Sequence, residues 1–201
     1  MASKLANIVT VILHPVILPT LGFLLLLNSG FYFSYINWEA KRLILIVVFF
    51  STAILPLMMM SILSLNPKFR LSIEKGGQRA LTLLISSVSY YLGYMLLARL
   101  NAIPLLKVLM IAAVMVLLGL LFLSFWWKIS SHMAALGSLT GILLALSFRT
   151  GTYPIWSIIA VILASGITAT SLLLLSRNKL WHLEAGYALG FTIFYLVIYF
   201  I

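Results

Sequence analysis

The chain has 201 residues, 64% of them hydrophobic and 8% charged, with 13 Lys and Arg against 3 acids and a formal charge of +10. A soluble globular domain carries roughly a quarter charged residues, so this composition excludes one and points to an integral membrane protein. There is no cysteine, which excludes disulfides, thiolate nucleophiles and sulfur-ligated metals. Glu39, Glu74 and Glu184 are the only acids, so a hard divalent cation that needs several oxygen ligands is poorly served, and no cofactor is expected.

A helix needs roughly 20 apolar residues to cross about 30 Å of hydrocarbon. Runs of that kind predict spans near 8–28, 42–64, 80–98, 104–126, 130–148, 154–175 and 184–201. The expected fold is an all-α integral membrane protein, a bundle of six to seven transmembrane helices forming one domain over residues 1–201. The first apolar run leads straight into further spans, so it reads as a retained helix and not as a signal peptide. It holds His14, Pro15 and Pro19 at membrane depth, where prolines kink a helix and free backbone carbonyls. An intramembrane histidine is a functional candidate by default; the plainer expectation is that His14 caps the freed carbonyls or meets a neighbouring helix.

Further along, Met58 to Met60 and the Tyr90, Tyr91 and Tyr94 cluster read as core and interfacial packing. Gly137/Gly141 and Gly186/Gly190 recur at four-residue spacing, the pattern by which helices in lipid approach closely. With seven spans, the amino terminus, the 65–79 loop, the turn at Trp127–Ile129 and the 176–183 turn share one side, with Lys4, Lys68, Arg70, Lys75, Arg79, Lys128, Arg177 and Lys179. Lys41, Arg42, Arg99 and Arg149 lie opposite, with Lys107 able to snorkel towards them. The bias favours the first side as cytoplasmic, although a phosphate site would gather the same residues there for chemical reasons.

Three polar segments on that first side have chemistry to offer: "NPKFRLSIEKGGQR" at 66–79, "KISSHMAALG" at 128–137 and "SLLLLSRNKLWHLEAGYALG" at 171–190. Together they resemble the type 2 phosphatidic acid phosphatase family, membrane enzymes that remove phosphate from lipid and polyprenyl phosphates without metal. The resemblance covers residues 66–190 and rests more on spacing than on identical letters. The family's first motif is Lys, six residues, Arg-Pro; Arg79 matches its arginine, while Ser72 and Ala80 replace the lysine and proline, and Lys75, Lys68 and Arg70 can supply charge from nearby. The second, Pro-Ser-Gly-His, matches Ile129, Ser130, Ser131 and His132. It implies that the serines and amides hold phosphoryl oxygens and that His132 protonates the leaving alkoxide. That is sound chemistry for an imidazole titrating near neutrality and for a helix start, against the plainer reading of an interfacial histidine beside Trp127 and Lys128.

The third motif is Ser-Arg, five residues, His, three residues, Asp, then a small-residue face. The literal Ser176–Arg177 leaves only four residues before His182 and meets Gly186 where the aspartate belongs. Anchoring on Ala185, Gly186 and Gly190 instead recovers both spacings from Ser171 and is preferred. In that register Leu172 replaces the phosphate-binding arginine, Asn178 the nucleophilic histidine and His182 the orienting aspartate. An asparagine amide cannot form a phospho-enzyme.

The resemblance therefore implies, first, a non-catalytic relative that binds anionic lipid or polyprenyl phosphate headgroups in a bacterial inner (cytoplasmic) membrane, with no nucleic-acid partner. The alternatives are an active phosphatase with a rearranged site, His182 attacking and His132 protonating, and a structural or assembly subunit whose basic loops serve topology alone. On the first two readings the phosphate-binding set is Arg79, Lys75, Ser130, Ser131, Ser171 and Arg177.

Overall fold

A computed structural model describes residues 2–65, 78–100, 102–176 and 179–201. Among the described residues eight α-helices follow in order, with a 3-10 turn at Tyr32–Tyr35 between the second and third: α1 Ala2–Ile12, α2 Leu18–Asn28, α3 Trp38–Ser64, α4 Gln78–Arg99, α5 Pro104–Ser124, α6 Ser131–Thr150, α7 Ile155–Leu174 and α8 Leu180–Phe200. No strand occurs among the described residues. The helices α3 to α8 are each long and apolar enough to cross a membrane, so the chain is a multi-pass all-α membrane bundle.

The ends of these helices follow from the sequence. Asn37 caps α3, its side-chain oxygen accepting from the Ala40 amide at 3.0 Å. Pro104 opens α5, where a missing N–H costs nothing. Gly151 closes α6 in the left-handed conformation, φ 67°, with its amide on the Ser147 carbonyl at 3.0 Å. Inside α3, Pro56 would meet the carbonyl four residues back in a regular α-helix; a π turn over Phe50–Ile54 opens the helix just ahead of it.

The first expected span is not one helix. α1 stops at Ile12 and α2 starts at Leu18, with His14 and Pro15 in the link, because the proline ring ends the regular hydrogen bonding. The His14 carbonyl accepts from the amides of Ile17 and Leu18 instead. α1 lies on α7, whereas α2 packs against α3 and α6 and ends where Ser29 meets Ser157 at 3.1 Å.

At the centre stands α6. In its apolar stretch 67% is buried, against 28–39% in the other five spans, and it packs on α8, α7, α2 and α5. Its tightest partner is α8, which runs parallel to it. A Cβ on Gly137 would lie 2.1 Å from the Tyr187 carbonyl oxygen, and one on Gly190 would lie 2.0 Å from that of Ala134. Both expected small-residue faces therefore meet each other, with backbone against backbone. The rest of the ring closes through α3 on α4, α4 on α5 and α5 on α8.

Exposed aromatic residues mark both bilayer surfaces. Phe125, Trp126, Trp127 and Trp181 ring the end where α6 and α8 begin, and Tyr35, Trp38, Tyr153 and Trp156 ring the other.

Candidate functional site

Because α6 and α8 are parallel, their first turns share one end of the bundle. Ser130 caps α6, its hydroxyl accepting from the Met133 amide at 3.4 Å, and its own amide donates to the His182 carbonyl of α8 at 3.1 Å. Trp127 and Trp181 meet edge to face at 5.7 Å, tying the segment that leads into α6 to the first turn of α8. From the start of α4, the guanidinium of Arg79 donates to the carbonyl of Ile129, immediately before the Ser130 cap. Guanidinium carries five donors, more than this one carbonyl can take up. Ile129 and Ser130 are buried, Arg79, Ser131 and His132 half-buried, and Lys128 and Lys179 exposed.

The link between α1 and α2 completes the cluster. The His14 and His132 rings lie 5.5 Å apart at 81°, edge to face. His14 is further oriented by the Val16 amide, which donates to its Nδ1 at 3.4 Å. It sits outside the six spans, and partial burial pushes its imidazole below the ordinary histidine value. His14 does meet a neighbouring helix, as its plainer reading had it, and the contact is with His132 at the start of α6. The signal available in the sequence was a histidine directly before a proline, which is enough to predict a break but not what the break faces.

His182 is placed differently. Its Nδ1 accepts from the Lys179 amide at 3.4 Å, and its ring lies 4.0 Å from that of Trp181. The side chain thus helps start α8, and its carbonyl holds Ser130. Ser171 is buried in the last turn of α7, with its hydroxyl on the Ile167 carbonyl at 2.7 Å, and Leu172 beside it is buried as well. Glu184 is exposed on the first turn of α8. Lys75, Arg177 and Asn178 lie outside the described residues, as do Lys68, Arg70 and Ser72.

Brought together, then, are Arg79, Ser130, Ser131, His132 and His14, from three separate parts of the chain. Among the described residues no three His, Cys, Asp or Glu side chains come together as a metal site. The cluster offers a guanidinium, two imidazoles, two hydroxyls and a helix start, all donors or potential donors, at the level of the aromatic belt. No family model, curated protein or solved structure matches the chain.

Proposed function

We propose that this protein binds lipid or polyprenyl phosphates of a bacterial inner membrane through the cluster at the start of α6, as a relative of the type 2 phosphatidic acid phosphatases without their phosphohistidine chemistry. The observation that carries the reading is the approach of His14 to His132 beside the Arg79-anchored Ser130 cap. Hydroxyls and amides at a helix start suit an anion, an arginine matches phosphate oxygens in a bidentate fork, and imidazoles gain a proton where an anion stabilises it.

Binding is favoured over the rearranged phosphatase by the state of His182. With Nδ1 accepting a backbone amide, the neutral ring carries its proton on Nε2. Attack on phosphorus would first require the ring to leave the Lys179 amide and shift its proton.

The test is binding of phosphatidic acid to the purified protein in phosphatidylcholine nanodiscs. Arg79→Ala and His132→Ala should each weaken it about tenfold, the loss of about 1.4 kcal/mol expected of one charge-assisted contact. Equal binding of diacylglycerol, which lacks the phosphate, would remove the reading. Phosphate release abolished by His182→Ala would replace it with the phosphatase.

A further inference from the structure

An apolar cavity runs from this cluster into the bundle. Its volume is about 90 Å³ and it is partly open, with walls from α2, α4, α5, α6 and α8. Its polar end is continuous with the candidate site, since Pro15 and Ser131 line it and are the chain neighbours of His14 and His132. From there the walls are apolar, including Leu109, Ala113, Leu117, Leu139 and Phe194, interrupted by Ser138 and by Tyr90. The Ser138 hydroxyl is already bonded to the Ala134 carbonyl at 2.8 Å.

Its depth follows from α6. Lining residues extend from Ser131 to Ile142, which at 1.5 Å per residue is about 16 Å. That is about half of the roughly 30 Å hydrocarbon thickness of a bilayer, or one leaflet. Protein interiors are packed with few voids, and an apolar void forfeits dispersion contacts along its whole wall. Water does not recover them, because apolar cavities of this kind stay dry. A hydrocarbon chain does recover them.

We infer that the cavity is the chain compartment of the same site: one acyl or isoprenoid chain of the bound phosphate lipid enters the bundle while its headgroup rests at His14 and His132. This rests on the phosphate reading for the headgroup and adds a commitment that reading does not need, since a headgroup could equally bind with its chains left in the bilayer. The occupant is a single chain. A volume of about 90 Å³ spread over about 16 Å of depth leaves no room for two chains side by side.

The test uses nanodiscs containing phosphatidic acid with a photoactivatable diazirine midway along one acyl chain, and maps the crosslinked residues by mass spectrometry. Labelling of Leu109, Ala113, Leu117 and Leu139 is expected, falling at least fivefold in Ala113→Phe and by a smaller factor in Ala113→Leu, the milder filling that guards against misfolding. Labelling confined to outward residues such as Leu118, Phe122 and Ile162, which are exposed on the bundle surface, would overturn the compartment. The same probe built on diacylglycerol separates the two ideas. Equal interior labelling by it upholds the compartment and removes the phosphate reading, whereas weaker interior labelling upholds both.

Discussion

Replacing Gly190 by alanine adds one methyl group where there is no room for it. The new Cβ would lie 2.0 Å from the Ala134 carbonyl oxygen, whereas real Cβ atoms essentially never come within 3.0 Å of such an atom, so α8 must move off α6 by about 1 Å. The obstacle is backbone, not the far end of a flexible side chain. Overpacking of this kind costs about 1–3 kcal/mol, and with a rigid obstacle the upper end applies, against about 1 kcal/mol returned by the better helix propensity of alanine. A net loss of about 2 kcal/mol is expected, which in a chain of this size lowers the melting temperature by about 4–8 °C. The measurement is thermal unfolding of the detergent-solubilised protein at one fixed scan rate, because membrane proteins often melt irreversibly. Gly166→Ala is the matched control: nothing lies within 4 Å of a Cβ at that position in α7, so only the propensity gain of up to about 1 kcal/mol remains and the melting temperature should hold or rise. If Gly190→Ala melts no lower than the parent, or Gly166→Ala falls as far as Gly190→Ala, the close parallel packing of α6 and α8 is wrong.

Other consequences are simpler to state. Ser130→Ala removes the α6 cap and should cost about 1 kcal/mol, read as a fall of about 2–4 °C in the same melt. His182→Ala should lower the melting temperature slightly while changing phosphatidic acid affinity less than about twofold, the reverse of His132→Ala, because the His182 ring serves the start of α8. Tyr187→Phe loses the hydroxyl bond to Thr140 but leaves Thr140 bonded to the Leu136 carbonyl, so no buried donor is orphaned and a loss of about 1 kcal/mol is expected. Phosphatidic acid binding should weaken steadily as salt rises from about 0.05 to about 0.5 M, since partly exposed charges are screened; salt-independent binding would speak for hydrocarbon contact alone.

How much of this was legible beforehand depends on which physical signal each feature carries. Span positions are set by length and apolarity, and the six long helices fall where those runs lie. The glycine pairs announce close approach, and α6 and α8 do approach there. Hydropathy does not reveal which helix is central, because lipid is as apolar as a protein interior. Here the central helix α6 has a mean hydropathy of 1.5, against 2.8 for the outer α5; its small and hydroxyl residues Gly137, Ser138, Thr140 and Gly141 are what let neighbours close around it. The π turn ahead of Pro56 and the approach of His14 to His132 were illegible for a different reason. The first is a local compromise between a proline and a continuing helix, and the second joins residues 118 positions apart through the packing of α2 on α6.

The parallel course of α6 and α8 has an electrostatic consequence. Each helix gathers about half a positive charge at its amino-terminal end through its aligned peptide dipoles. Two parallel columns in backbone contact set like ends side by side, so the columns repel one another, and their positive ends converge between Ser130 and Lys179. An anion held there relieves that repulsion and in return draws the helices together. This charge belongs to the backbone and survives any change of side chain. Whatever side chains stand at positions 172 and 178, the bundle goes on presenting the same positive field at that end.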